Sequence, residues 1–142
     1  ETVLKGIKDV FAKARDKGMN ITFDTEDENI ETAHDINWTS EAVFNVLDNA
    51  VKYTEPGSTI DVKVKKLGMF VSIEISDSGE PISDAEKNQI FQRFYRGENS
   101  RGKEGIGVGL YLSRELIVRQ GGYMNLKSTS DGNTFVICLP AE

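Results

Sequence analysis

The sequence predicts an α+β domain, in which a largely antiparallel sheet carries helices on one face. Two observations support this class. Apolar residues recur at helical spacing in several segments, and segments with strand-like alternation come in pairs that are adjacent along the chain. The chain has 142 residues, 38% of them hydrophobic and 28% charged, which suits one globular domain over residues 1–142.

The first half of the chain predicts a helix, a strand and a second helix. Apolar residues fall on one face of a helix over residues 2–16, and residues 19–24 alternate as a strand. Thr39 or Ser40 is expected to cap a helix that runs to about Tyr53, because hydroxyl side chains bond the free N–H groups at a helix start.

A hairpin and a short helix are predicted next. Residues 58–67 and 69–77 alternate apolar and polar positions on either side of a glycine, which is typical of paired strands. Ser83 and Glu86 form a capping box, which predicts a helix through about Phe94.

The last third of the chain predicts a loop, a helix and a closing hairpin. Residues 95–107 are polar and rich in glycine without periodicity, so a mobile loop is expected there. A helix is predicted over 108–120, and residues 123–129 and 133–140 read as two paired strands.

Charge and composition exclude several function classes. The net charge of −6 argues against nucleic acid or an anionic membrane as the main partner. No apolar run is long enough to span a bilayer, and no signal peptide is visible. The single cysteine, Cys138, is expected to be a buried small hydrophobe. The chain starts at Glu1 rather than Met, which favours a segment of a longer protein.

The second helix carries a polar stripe that includes Asn45, Asn49 and Lys52. A polar stripe is usually the solvated face of a helix, and this remains an alternative. Asparagine, however, prefers caps and turns to helix interiors. Its amide oxygens, with a cation one turn further on, suit a hard metal ion that bridges phosphates.

Two glycine patterns overlap between Gly97 and Leu110. Gly97 to Lys103 matches a Walker A loop, but no strand precedes it, no helix follows the lysine, and the final Ser or Thr is missing. The pattern of Gly105, Gly107 and Gly109 leads directly into a predicted helix, whose free N–H groups and dipole favour a phosphate. A flexible loop before a helix is the alternative for this second pattern.

Asp77 ends a predicted strand and is followed by Ser78 and Gly79. A carboxylate in this position can accept a hydrogen bond from an exocyclic amine such as that of adenine. A turn of the Asp-x-Gly type is the alternative explanation.

Five segments occur in a fixed order: NVLDNAVKYT, SDSGEPIS, IFQRFYRG, GIGVGLYL and GNTF. Their order and spacing resemble the ATP-binding catalytic domain of bacterial sensor histidine kinases, within the superfamily that includes the gyrase ATPase and heat-shock chaperones. The resemblance covers essentially the whole chain. It implies a two-layer α/β sandwich of the Bergerat type, with a mixed, mostly antiparallel sheet and about three helices on one face.

The resemblance also implies a site for ATP and Mg²⁺. Asn49 would bind the metal, Asp77 would accept a hydrogen bond from adenine, and residues 97–104 would form a lid over the nucleotide. The implied catalytic residues are Asn45, Lys52 and Arg96. The implied nucleotide-binding residues are Asn45, Asn49, Lys52, Tyr53, Asp77, Gly79, Ile82, Phe94, Tyr95, Arg96, Gly105, Ile106, Gly107, Val108, Gly109, Leu110 and Thr134.

Two positions bear on affinity and chemistry. Pro81 stands where the family usually has a second glycine, and proline removes an N–H, so weakened or altered affinity is expected. Hydrolytic members carry a glutamate base one turn before the metal ligand, where this chain has Asn45, an amide that cannot take a proton. Glu41, a further turn away, would need an unusual geometry. A kinase is therefore favoured over an ATPase or a degenerate binding module.

The resemblance implies that the phosphate acceptor lies elsewhere. The only histidine, His34, lacks the flanking residues of an acceptor box. The expected partners are a histidine phospho-acceptor domain of the same kinase and, downstream, a response regulator. The segment is expected to be monomeric, and the full-length protein to be a homodimer. The expected setting is the cytoplasmic part of a membrane-anchored sensor kinase of a two-component system.

Overall fold

A computed structural model describes residues 2–25, 36–87, 89–92 and 109–140. The order of elements is α1 (Thr2–Asp16), β1 (Asn20–Thr25), α2 (Ile36–Tyr53), β2 (Thr59–Leu67), β3 (Phe70–Asp77), α3 (Asp84–Lys87), α4 (Gly109–Val118), β4 (Tyr123–Thr129) and β5 (Gly132–Pro140).

The strands form one mixed sheet of five strands in the order β1-β2-β3-β5-β4. β1 pairs with β2 in parallel, and the other three pairings are antiparallel. Both predicted hairpins are confirmed, since β2 pairs with β3 and β4 pairs with β5. The parallel edge strand makes the sheet mixed, as the family resemblance implied.

α1, α2 and α4 pack side by side on one face of the sheet. The core between the two layers is aliphatic, with Val46 and Leu47 of α2 above Ile73 and Ile75 of β3. Burying such side chains contributes about 1.5–3 kcal/mol each to folding. The two-layer α/β sandwich is therefore confirmed. Cys138 is free and buried, as predicted.

Helix boundaries differ from the prediction in two places. α2 begins at Ile36, so Thr39 and Ser40 lie inside the helix and the prediction that one of them caps it is wrong. Both side chains are buried and bond outside α2: Ser40 Oγ donates to Thr2 O of α1, and Thr39 Oγ1 accepts from Gln120, just after α4.

The capping box at Ser83 is present, but α3 ends at Lys87 instead of running to Phe94. The N–H of Gln89 bonds three residues back to Glu86 O, which tightens the chain into turns after the helix. Among the described residues, no helix combines the length and apolar character needed to cross a bilayer.

Candidate nucleotide-binding site

The C-terminal half of α2 and the end of β3 lie at the same end of the sheet. A short connection over residues 54–58 joins the end of α2 to the start of β2. The start of β2 pairs with the end of β3, with Asp61 opposite Ser76. The topology therefore brings the polar stripe of α2 toward Asp77.

The N-terminus of α4 reaches the same end, because α4 runs antiparallel to α2. Near the C-terminal end of α4, Gln120 Nε2 donates to Thr39 Oγ1 over 3.2 Å. Nearer its start, Ser113 Oγ donates to Ala42 O over 3.2 Å. From the end of α4 toward its start, the contacts with α2 therefore shift toward the C-terminus of α2. Gly109, at the start of α4, thus lies toward the C-terminal half of α2. Gly109 begins α4, and Leu110 packs against the core.

The predicted polar stripe of α2 is present, with Asn45, Asn49 and Lys52 all half-buried. Asn45 Nδ2 is inaccessible to solvent and has no hydrogen-bond partner among the described residues. A buried donor without a partner is costly, so this amide is suited to a ligand or an ordered water.

Asp48 bridges two lysines on the side of α2 that faces α1. Its Oδ1 lies 2.9 Å from Lys13 Nζ, and its Oδ2 lies 3.0 Å from Lys52 Nζ. Burial acts to raise the pKa of Asp48, but hydrogen bonds and attraction to the two lysines outweigh it and hold that pKa below its usual value. In this structure, therefore, the predicted phosphate-binding lysine is paired with a carboxylate.

Lys17 caps the C-terminal end of α2. Its Nζ donates to the carbonyl oxygens of Val51 and Thr54, the latter over 2.9 Å. The last carbonyls of a helix carry partial negative charge, which disfavours a nearby phosphate. Lys17 offsets that charge at the end of the helix where Lys52 lies.

Asp77 points toward the helix-covered layer. Side chains alternate along a strand, and Ile75, two residues earlier, belongs to the core under the helices. Asp77 Oδ1 accepts from the N–H of Gly79 over 2.9 Å. Burial raises the pKa of Asp77 above its usual value, although bonds from Gly79 and Asn133 partly oppose that effect.

Asn133 is a polar residue of this site that the sequence did not single out. It stands opposite Asp77 in the β3–β5 register and contacts both Asp77 and the loop that follows it. Gly132 permits this approach: it has φ 140°, and a Cβ there would lie 2.0 Å from Asp77 O. Within the GNTF segment, the contact to Asp77 comes from Asn133 and not from its predicted neighbour Thr134.

Thr134 lies on the opposite face of the sheet from Asn133, because adjacent residues of a strand point to opposite faces. Its Oγ1 lies 2.9 Å from Ser76 Oγ. The structure thus does not bring the Thr134 side chain beside Asp77, and its role in the adenine pocket stays a prediction.

Phe91, in the IFQRFYRG segment, is buried between β5 and α4. Its ring meets that of Phe135 edge-on at 6.3 Å, and the Arg114 guanidinium lies 5.6 Å from its centre. Other predicted positions lie outside the described residues: Phe94, Tyr95, Arg96, Gly105, Ile106, Gly107, Val108, Lys103 and His34. Tyr53 is the last residue of α2, but its side chain is likewise not among those that the structure describes.

The donor set fits a magnesium–nucleotide complex better than a metal alone. The described residues hold no group of three or more His, Cys, Asp or Glu side chains that could enclose a metal ion. Mg²⁺ usually takes one or two protein oxygens and completes its shell with phosphates and water. One amide oxygen on α2 would satisfy that pattern, and the fold itself is a two-layer α/β sandwich with polar side chains gathered at one end of the sheet.

Comparison with known proteins agrees with this class. Residues 34–142 match the family described as histidine kinase-, DNA gyrase B-, and HSP90-like ATPases, and the chain belongs to that family. It is 34% identical over 131 residues to a sensor protein, SrrB, from Staphylococcus aureus, which covers 90% of this chain. The chain spans 22% of the length of that relative.

Solved structures show the same fold. The catalytic domain of the histidine kinase ThkA superposes with a TM-score of 0.87 at 22% identity, covering 99% of this chain and 91% of that one. A mycobacterial sensor histidine kinase, MprB, gives 0.84 at 24% identity, covering 99% and 92%. The predicted superfamily is confirmed by the family match, and the predicted fold is confirmed by the superposition on histidine kinase catalytic domains. The family's description as ATPases makes ATP the implied nucleotide.

Proposed function

We propose that this domain binds Mg·ATP and donates the γ-phosphoryl group to a histidine on a separate phospho-acceptor domain. The observation that carries the proposal is the polar face of α2. It presents two amides and a lysine at the sheet end that holds Asp77, and the buried donor of Asn45 has no partner among the described residues.

At the base end of the site, around Asp77, the geometry favours binding of a purine that carries an exocyclic amine. Asp77 is half-buried on the helix-covered side, and its hydrogen bond from Gly79 uses only Oδ1. The carboxylate would also accept a hydrogen bond from the adenine amine. Guanine presents a carbonyl oxygen at the equivalent ring position, so it would face the carboxylate acceptor to acceptor.

The phosphate end supports a metal-assisted transfer. Asn49 would supply one amide oxygen to Mg²⁺, which would neutralise charge on the phosphates and hold them in line for transfer. Lys52 would contact the phosphates after leaving Asp48, from which it is 3.0 Å away. Arg96 is proposed as a further phosphate ligand, from the sequence resemblance alone.

The absence of a carboxylate at position 45 favours transfer to a side chain over hydrolysis. An ATPase needs a base that takes a proton from water, and Asn45 cannot do so. Glu41, one turn earlier, is exposed on α2. The domain therefore holds ATP with little turnover until an acceptor histidine approaches.

The proposed partners follow from the relatives. ThkA has been solved in complex with the response regulator TrrA, and that kinase superposes on this chain with a TM-score of 0.84. We propose that this domain serves a two-component sensor kinase anchored in the membrane. A dimer of the full protein would bring acceptor and catalytic domains together, and a response regulator would take the phosphate.

Calorimetric titration with ATP and GTP, each with and without Mg²⁺, tests the proposal. Saturable binding that is selective for adenine and strengthened by Mg²⁺ is expected. Absence of binding would contradict the proposal and indicate a degenerate module. Steady release of phosphate from the isolated domain would instead support an ATPase.

A further inference from the structure

Asn133 is an almost fully buried polar residue, with 6% of its surface exposed, beside the proposed adenine site. Its Oδ1 accepts from the N–H of Ile82 over 2.9 Å and from Ser128 Oγ over 2.6 Å. Its Nδ2 donates to Glu80 O over 2.9 Å and lies 3.5 Å from Asp77 Oδ1. One side chain thus ties β4, β3 and the loop after β3 together.

The side-chain amide of Asn133 bonds the backbone on both sides of Pro81. It bonds the carbonyl oxygen of the residue before the proline and the N–H of the residue after it. A carboxamide carries a donor and an acceptor on one rigid group, so it can serve both backbone groups at once. Proline itself supplies no N–H. The loop that lacks the usual second glycine is therefore held by a side chain.

The same amide limits how Asp77 can turn. Gly79 N–H and Asn133 Nδ2 both approach Oδ1 of Asp77, and neither contact uses Oδ2. A carboxylate with one oxygen engaged from two sides has a defined orientation. The backbone N–H of Asn133 also donates to this carboxylate, and the adenine amine would donate to it in the orientation that these bonds set.

We infer that Asn133 is a positioning residue for base recognition, which holds the loop over residues 79–82 and orients Asp77 toward the adenine amine. This rests on the proposed function, since it assumes that Asp77 contacts the base. It also accounts for how a site with Pro81 keeps a shaped adenine pocket. Asn133 itself is not assigned any contact with the nucleotide.

The substitution Asn133→Asp tests the inference with little change in shape. The new side chain still accepts from Ile82 and Ser128 but cannot donate to Glu80 O, and when ionised it repels Asp77. Affinity for Mg·ATP should fall more than affinity for Mg·GTP, so the ATP-to-GTP affinity ratio should drop by about tenfold. Asn125→Asp is the matched control, because Asn125 is exposed on β4, and it should leave the ratio unchanged.

Calorimetric titration of the wild type and both variants, with circular dichroism to verify folding, separates the outcomes. A purely structural role would lower both affinities equally and leave the ratio intact, which would overturn the inference. Loss of selectivity in Asn133→Asp alone supports it. If the wild type binds neither nucleotide, both the proposed function and this inference are overturned. This outcome is distinguishable because it is seen in the unsubstituted protein.

If Asn133→Asp does not fold, Ser128→Ala carries the same test. It removes only the 2.6 Å hydrogen bond to Asn133 Oδ1 and leaves the bonds to Glu80 and Ile82 in place. A smaller fall in the ATP-to-GTP ratio, of about two- to threefold, is expected from the loosened amide. An unchanged ratio in this folded variant would overturn the inference.

Discussion

At the phosphate end of the site, two long lysine side chains form ion pairs with Asp48, whereas at the base end a buried amide, that of Asn133, bonds Asp77 and nearby backbone groups. Lys13, Asp48 and Lys52 form ion pairs across two helices, and the Lys13 side chain is 55% exposed. Asn133, by contrast, is buried and bonds the backbone of one loop as well as the side chain of Ser128.

The difference indicates which end rearranges on binding. The base end is already held in one arrangement, so a purine would enter with little reordering. At the phosphate end, Lys52 would exchange Asp48 for a phosphate in the proposed complex, and long side chains lose rotamer freedom when they are fixed. In the proposed complex, the base end would therefore determine selectivity, and the phosphate end would determine how much affinity the metal contributes.

The largest effect is expected at the phosphate end, from Asn49→Ala. Removal of the proposed metal ligand should lower Mg²⁺-dependent ATP affinity at least about tenfold, since even outer contacts to a metal are worth that much. The fold should persist, because Asn49 lies on the polar stripe rather than in the core.

Calorimetry with and without Mg²⁺ measures this effect, and Asn125→Ala on exposed β4 serves as the control. Should the variant bind Mg·ATP as tightly as the wild type does, Asn49 is not the metal ligand.

The next effect concerns selectivity at the base end. Asp77→Asn replaces an acceptor by an amide that can also donate, so the preference for ATP over GTP should shrink by about tenfold. Titration with both nucleotides measures the ratio. An equal loss for both would instead indicate that Asp77 is a turn residue.

A smaller effect should appear with pH. Burial raises the pKa of Asp77, and no charged partner contributes to that shift. As the pH falls, the carboxylate therefore becomes protonated at a higher pH than an ordinary aspartate with a value of 3.8, and ATP affinity falls with it. Titrations from pH 7 to pH 4 should show this fall in the wild type and a weaker one in Asp77→Asn, which controls for protonation of ATP itself.

Local sequence patterns predicted most of the helices and strands, but they did not predict contacts between residues that are far apart in the sequence. Helices and hairpins follow from periodicity and from glycines within a few residues. Asn133 acts on Asp77 from 56 positions away, a contact that depends on strand register and has no local signal. The same holds for Lys13 and Asp48, which are 35 positions apart on separate helices. The cap prediction at Thr39 was wrong because a hydroxyl near a helix start is typical of a cap, whereas here it bonds Gln120, just after the end of α4.

The smallest expected effect separates the two ends most directly. Asp48→Asn removes the carboxylate that holds Lys52, so Mg·ATP affinity should rise about two- to fivefold while the ATP-to-GTP ratio stays constant. Two positive charges then lose their partner, and the free energy of unfolding at pH 7 should fall by about 1 kcal/mol or less, because Lys13 and Lys52 are partly exposed to solvent.

The pH dependence of this stability difference has a definite sign. The folded-state pKa of Asp48 is lowered, so the carboxylate stabilises the fold above its unfolded value of 3.8 and loses that effect as the pH falls through the folded value. Urea unfolding at pH 7 and pH 3 should therefore show wild type and variant converging in acid. Glu74→Gln, which breaks the 3.2 Å pair with Lys65 on the outer face of the sheet, is the matched control and should not alter ATP affinity. Reduced rather than increased ATP affinity in Asp48→Asn would mean that Asp48 holds Lys52 in its binding position, and the phosphate end would then be as preorganised as the base end.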